Sequence, residues 1–133
     1  MASQMAEKFM QALQQSEQAK DVTPLVALFN EDAEVSNIAL HEPLRGSEGV
    51  REFWQKYLEQ FQNIRSTFNQ VLEQQAESGG HIVLEWQSDG TLRQGAPISY
   101  RGVSILETTG DRVQRFRSYY DSAAFIKLQS ASA

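Results

Sequence analysis

The sequence predicts an α+β fold: a curved antiparallel sheet wraps around N-terminal helices and forms a cone-shaped half-barrel with an internal pocket. Three observations predict it. The first half of the chain has helical periodicity, the second half alternates as strands do, and residues 98–121 have the pattern of a long hairpin. At 133 residues we expect one domain, residues 1–133, with a single sizeable core.

The amino-acid composition indicates a globular domain and argues against several kinds of partner and site. Hydrophobic residues make up 41% and charged residues 22%, which is typical of a globular domain. A net charge of −5 without a basic stripe argues against a nucleic-acid partner. The absence of cysteine excludes thiolate chemistry, and the two histidines lack the spacing of a zinc site, so we expect neither metal nor cofactor.

The N-terminus and the hydropathy of the chain suggest a compartment. Glu7 interrupts the apolar run that a signal peptide would need. No stretch approaches the roughly 18 apolar residues of a membrane span. We therefore expect a cytoplasmic protein that does not bind membranes.

Three helices are predicted in the first half. Residues 4–18 are amphipathic, and a short second helix begins at Thr23 and continues to Phe29. Ser47 is expected to cap the third helix. The apolar stripe of that third helix indicates a core-facing surface; it comprises Val50, Phe53, Trp54, Tyr57, Leu58 and Phe61.

The strands follow from the turn residues and the period-two alternation. We expect a short strand over 33–36, a loop over 37–45, and a strand over 65–77 with a bulge near Val71 and Leu72. A further strand contains Ile82, Leu84 and Trp86, and a loop spans 88–97 because it contains glycines and proline.

The final hairpin can be given a register. A turn centred on Thr109 and Gly110 pairs Tyr100 with Tyr119 and Ser104 with Arg115. One face then carries Tyr100, Gly102, Ser104, Arg115, Arg117, Tyr119 and Asp121, and the other carries Val103, Ile105, Phe116 and Tyr120. A three-residue turn or a bulge would change these assignments. The second face is predicted to form a homodimer.

Four segments resemble the SnoaL-like, nuclear transport factor 2-like group, which includes ketosteroid isomerase and limonene-epoxide hydrolase. These are residues 28–35 (LFNEDAEV), 45–50 (RGSEGV), 100–103 (YRGV) and 117–121 (RSYYD). The resemblance covers nearly the whole chain and implies the cone fold. It implies little about activity, because this fold carries both enzymes and binding modules.

Only some of the catalytic residues of these families have a chemically equivalent residue in this chain. The general base of the isomerases corresponds to Asn37, which cannot take a proton, and their second acid would fall at 102–104, where there is none. The water-holding pair of the epoxide hydrolases corresponds to Asn37 and Asp121, but their Arg-x-Asp pair corresponds to Trp86 and Ser88. SnoaL-like cyclases need only one carboxylate, which the resemblance implies is Asp121.

Asp121 and Asn37 are therefore the catalytic candidates. Asp121 ends a strand beside Tyr119, where desolvation would raise its pKa, but it is equally a helix cap before Ser122. Asn37 orients a water or satisfies the loop backbone. The ligand-binding candidates are His41, Trp54, Tyr57, Trp86, Tyr100 and Tyr119, each of which also has a purely structural interpretation.

Arg115 and Arg117 line the cavity, cross a dimer interface, or pair with a glutamate from a neighbouring strand, and we favour the last.

Three functions stay open. The first is a cofactor-free isomerase/cyclase-like or hydrolase-like enzyme acting on an apolar oxygenated ring compound through Asp121. The second is a non-catalytic carrier of such a small apolar or aromatic ligand, and the third is a dimerisation module. A cavity from which Asp121 points away would favour the carrier over the enzyme.

Overall fold

A computed structural model describes residues 3–77 and 79–126, with only the backbone described for residue 76. The elements are α1 (Gln4–Ala19), α2 (Thr23–Val26), β1 (Phe29–Asn37), β2 (Leu44–Arg45), α3 (Gly46–Glu59), β3 (Phe61–Ala76), β4 (Gly79–Leu92), β5 (Pro97–Thr109) and β6 (Arg112–Tyr120). One further helical turn covers residues 123–126. The α+β class is confirmed.

The six strands form one curved sheet that does not close, in the order β2-β1-β6-β5-β4-β3. Neighbouring strands are antiparallel except β1 and β6, which run parallel. The helices α1 and α3 pack inside the curve of the sheet. This arrangement produces the predicted cone, with the core between the helices and the inner face of the strands.

The helices form where their apolar periodicity predicts. Ser3 caps α1 by accepting a hydrogen bond from the backbone of Ala6 at 3.2 Å, and the face containing Phe9 and Leu13 is buried. The predicted cap of α3 is wrong, because Arg45 occupies the cap position and Ser47 lies within the helix. Gly46 has a φ of 76°, which lets the chain turn directly from β2 into α3.

Several strands are longer than predicted. Phe29 begins β1 instead of ending a helix, and the predicted loop over 88–97 shrinks to four residues, because β4 continues to Leu92. Gly90, which indicated a loop, lies inside the β3–β4 ladder, where a β-carbon would come within 2.2 Å of the carbonyl oxygen of Asn63. Here glycine permits close approach of two backbones instead of forming a turn.

The register of the final hairpin differs from the prediction. The turn contains only Gly110 and Asp111, and a bulge at the Glu107/Thr108 step adds one residue to β6. Ser104 therefore pairs with Ser118 instead of Arg115. Because the register moves by an odd number of residues, the β6 side chains predicted to face inward face outward, and those predicted outside face inward. The bulge of β3 likewise lies at Phe68/Gln70, before the predicted position.

The consequence is a correction to the predicted faces. Phe116 and Tyr120 lie on the inner face with Tyr100, while Arg115, Arg117 and Tyr119 lie outside with Val103 and Ile105. Within the described residues, no helix is long and apolar enough to cross a membrane. The same part of the chain contains no cluster of side chains suited to hold a metal ion.

Candidate ligand-binding cavity

The cone encloses a cavity of about 310 Å³ between α1, α3 and the inner face of the sheet. Its walls are mostly apolar and aromatic. The apolar wall residues include Leu13, Leu40, Leu44, Phe53, Trp54 and Phe116. A space of this size and character is typical of a small-molecule site.

Aromatic rings form two sides of the cavity. On the helical side, Trp54 meets Tyr57 edge-on with ring centroids 5.8 Å apart. On the sheet side, the ring of Tyr100 meets those of Trp86 and Phe125 edge-on, with ring centroids 5.4 Å and 4.9 Å apart. These contacts hold the rings in fixed positions around the cavity.

Four serines place two pairs of hydroxyl groups on the sheet wall. Ser66 on β3 pairs with Ser88 on β4, and their hydroxyl oxygens are 2.7 Å apart. Ser104 on β5 pairs with Ser118 on β6 at 3.2 Å. All four line the cavity although each is buried. An otherwise apolar cavity therefore has hydroxyl groups along one wall.

Glu17 lies behind the Ser66–Ser88 pair, near the end of α1. Its carboxylate accepts hydrogen bonds from the Tyr57 hydroxyl (2.6 Å), the Ser66 backbone N–H (2.8 Å) and the Ser66 hydroxyl (2.6 Å). Its exposed fraction is only 4%. Burial raises the pKa of Glu17, and the hydrogen bonds from Ser66 and Tyr57 oppose that rise without cancelling it.

The sequence interpretation did not include Glu17, although a signal was present. Glu17 follows Phe9 and Leu13 at four-residue steps, so it shares their buried face of α1. A glutamate on the buried face of an amphipathic helix needs hydrogen-bonding partners, and those partners come from α3 and β3. Burial also raises the pKa values of Tyr57 and Tyr100, so both hydroxyls keep their protons.

The structure brings five of the predicted site residues to the cavity. Asn37, Trp54, Tyr57, Trp86 and Tyr100 all line it. The Asn37 side-chain oxygen also accepts a hydrogen bond from the backbone of Ala39 at 2.9 Å, as expected for a loop asparagine. The Trp86 indole N–H donates to the Ser104 hydroxyl at 2.9 Å.

Three predicted site residues lie elsewhere. His41 is exposed and does not line the cavity. Tyr119 is 49% exposed on the outer face. Asp121 is exposed, and its side-chain oxygen accepts a hydrogen bond from the backbone of Ala123 at 3.1 Å, the geometry of the predicted helix cap. Because Tyr120 points inward, alternation directs Asp121 away from the cavity.

Arg115 and Arg117 on β6 have the partner that the sequence interpretation favoured. Arg115 and Arg117 both bind the carboxylate of Glu107 on β5, Arg115 at 3.3 Å. The hydrogen bond from Arg117 is the main reason that the pKa of Glu107 is lowered. These cations belong to the outer face and do not bind anions in the cavity.

Comparisons with known proteins agree with this architecture. A family model described as SnoaL-like domain matches residues 6–116. No curated protein sequence matches at a significant level. Among solved structures, an NTF2-like protein from Anabaena variabilis is similar with a TM-score of 0.78 and 19% identity, covering 93% of this chain and 96% of that one.

Two further similar structures contain small molecules. A Catenulispora acidiphila protein with a ketosteroid isomerase-like fold, in complex with trimethylamine, has a TM-score of 0.75 and 16% identity, with 93% of this chain and 90% of that chain covered. TerC, co-crystallised with polyporic acid, has a TM-score of 0.74 and 15% identity, with 93% and 94% covered. At these identities the similarity shows the fold alone.

Proposed function

The chain belongs to the SnoaL-like domain family, and on that premise we propose that its cavity binds a small, mostly apolar ring compound that carries oxygen. The observation that carries the proposal is the combination of aromatic walls with two pairs of serine hydroxyls. Apolar walls favour burial of a ring, and a few placed hydroxyls orient its oxygen atoms. TerC was co-crystallised with polyporic acid and the Catenulispora protein is in complex with trimethylamine, which supports a small-molecule ligand; trimethylamine has neither ring nor oxygen, so the ligand class rests on the cavity walls alone.

Binding without turnover is the function that the position of Asp121 favours. Asp121 caps the last helical turn and does not line the cavity, so its use as a base would require residues 120–126 to rearrange. A cofactor-free isomerase- or cyclase-like activity is the second candidate. Glu17 favours it, because a buried carboxyl group with a raised pKa is suited to hold a proton near a ligand.

The binding proposal can be tested by closing the cavity at its edge. Ala39 is exposed yet lines the cavity, so Ala39→Trp would place a large side chain there without disturbing the core. We expect this variant to lose affinity for 2-naphthol in isothermal titration calorimetry. Ala19→Trp, at an exposed position at the end of α1, is the matched control and should bind as the wild type does. Equal affinity in all three proteins would contradict the proposal.

We also propose that the outer sheet face joins two copies of the chain. Leu72, Val83 and Ile105 occupy one row across β3, β4 and β5, and Val103 and Tyr119 occupy the next. Leu72 and Tyr119 are about half exposed, at 55% and 49%. Such a strip of large apolar groups is typical of a self-complementary interface.

Charges beside the strip suit a two-fold contact. Glu85 on β4 pairs with Val103 in the second row, and Arg101 precedes Val103 on β5, so a two-fold axis can bring opposite charges together. We expect Val103→Asp to convert a dimer to a monomer in sedimentation velocity, whereas Thr109→Asp at the hairpin tip should not. A monomeric wild type at micromolar concentration would refute this part of the proposal.

A further inference from the structure

A chain of hydrogen bonds connects Glu17 to the cavity. The Glu17 carboxylate oxygen Oε2 is 2.6 Å from the Ser66 hydroxyl, which in turn is 2.7 Å from the Ser88 hydroxyl. Ser88 lines the cavity, and no other group of residues 3–77 and 79–126 takes up a further hydrogen bond from its hydroxyl. A ligand oxygen beside Ser88 would therefore be the next member of the chain.

Counting protons gives the chain a direction when Glu17 is ionised. An ionised carboxylate only accepts, so Ser66 must give its single hydroxyl proton to Glu17. Ser88 must then donate to Ser66, since both oxygens are within hydrogen-bonding distance and Ser66 has no second proton. The oxygen of Ser88 consequently offers only lone pairs to the cavity, and the wall accepts a hydrogen bond at that point.

Protonation of Glu17 reverses the chain. Oε1 faces the Ser66 backbone N–H and must remain an acceptor, so the added proton resides on Oε2. Tyr57 continues to donate to a lone pair of Oε2, while Oε2 donates to Ser66, Ser66 donates to Ser88, and the Ser88 proton points into the cavity. Only hydroxyl rotations are needed, and no heavy atom has to move.

We propose that Glu17, acting through Ser66 and Ser88, decides whether the cavity wall accepts or donates a hydrogen bond. This inference rests on the proposed ligand-binding function. With Glu17 ionised, the wall selects compounds that carry a hydroxyl group, such as phenols or enols. With Glu17 protonated, the wall donates, so the preference shifts toward compounds with a carbonyl group, which is a stronger acceptor than a phenol oxygen. Glu17 is thus a specificity-determining residue that need not touch the ligand.

The surroundings of Glu17 suit this role. Tyr57 from α3 donates to it, and Tyr100 from β5 lies near this pair; burial raises the pKa values of all three groups. Within the described residues Glu17 forms no ion pair, and Lys56, which borders the cavity, pairs with Glu52 at 3.2 Å. Neutral donors alone stabilise the ionised form, so Glu17 protonates at a higher pH than an exposed glutamate would.

The other serine pair is independent of Glu17. The Ser104 hydroxyl oxygen already accepts a hydrogen bond from the Trp86 indole N–H, and Ser118 is its other partner. No atom of this pair belongs to the chain from Glu17. Ser104→Ala therefore removes a cavity hydroxyl of the same kind without breaking the chain, which makes it a matched control.

The test compares two uncharged two-ring probes, 2-naphthol with a hydroxyl group and 1-tetralone with a carbonyl group. Their dissociation constants are measured by calorimetry at about pH 4, below the ordinary pKa of glutamate, and at about pH 8. For the wild type we expect the preference for 2-naphthol over 1-tetralone to increase by about five- to tenfold between the two pH values, the effect of one gained or lost hydrogen bond. Ser104→Ala should keep this dependence.

Two variants separate the chain from general effects. In Glu17→Gln the amide nitrogen donates to Ser66 at every pH, so we expect a fixed preference for 1-tetralone. Ser88→Ala removes the last hydroxyl and should make the preference independent of pH while Glu17 remains. If Glu17→Gln does not fold by circular dichroism, Ser88→Ala still decides the question.

The outcomes distinguish the inference from the function on which it rests. If neither probe binds the wild type, the proposed function fails and the inference fails with it. If both bind with a preference that does not change with pH, or if Ser88→Ala retains the pH dependence, only the inference is overturned.

Discussion

Tyr57→Phe is the substitution that most directly tests the buried contact between α1 and α3. It removes one oxygen atom, which donates to the Glu17 carboxylate at 2.6 Å, and leaves the aromatic ring in place. The ring contacts with Trp54 and Phe61 are therefore retained. Any change in stability then reports the hydrogen bond and little else.

The expected magnitude follows from the charge of the acceptor. A hydrogen bond to an ionised group contributes about 1.5–3 kcal/mol, compared with about 0.5–1.5 kcal/mol for one between neutral groups. We expect the free energy of unfolding of Tyr57→Phe to fall by about 2 kcal/mol at a pH where Glu17 is ionised. At a pH where Glu17 is protonated the loss should be smaller, at about 1 kcal/mol.

Urea denaturation at two pH values measures both quantities. Tyr119→Phe removes a hydroxyl from an exposed ring on the outer face, so it should change the unfolding free energy by less than about 0.5 kcal/mol. A loss below that limit for Tyr57→Phe, or an equal loss at both pH values, would show that Glu17 does not depend on this donor in its ionised form. The reasoning about the buried carboxylate would then be refuted.

Three further predictions concern stability. The pKa of Glu17 is raised in the folded state, so its contribution to the free energy of unfolding is fully present below the unfolded pKa and is lost as pH rises through the folded pKa. Glutamine does not titrate, so chemical denaturation should show a smaller loss of stability for Glu17→Gln than for the wild type over this pH range. Leu84→Ala should cost about 2–5 kcal/mol, because Leu84 is fully buried, whereas Ile38→Ala, at an exposed position after β1, should cost less than about 1 kcal/mol in the same assay. Gly90→Ala should lower the melting temperature by several degrees, since its β-carbon would meet the β3 backbone; an unchanged melting temperature would contradict the close approach of the two strands.

The helices illustrate what could be predicted locally. Apolar residues at three- and four-residue steps place α1 within one residue of its observed bounds, and α3 buries part of its predicted stripe. The failures occurred where local signals have two meanings. Gly90 indicates a turn in isolation, but inside the ladder it allows two strands to approach.

The candidate site was only partly predictable for the same reason. Trp54, Tyr57, Trp86 and Tyr100 were expected at the cavity and lie there, because aromatic residues on inner faces have few other places to pack. The direction of Asp121 depends on the alternation of β6, and its position relative to β5 depends on a bulge that no local pattern revealed. Glu17 was missed because its partners lie 40 and 49 positions away along the chain.

Amino-acid order alone determined the class of fold and the segments that make the cone, since both follow from periodicity within short windows. Strand pairing, and with it the side chains that meet inside the cavity, was decided only in three dimensions. A single extra residue in β6 reverses which side chains of that strand share a face with Tyr100. The meeting of Glu17 with Ser66 is likewise a property of the packed molecule, because burial and hydrogen-bonding partners arise only when α1 lies against the sheet.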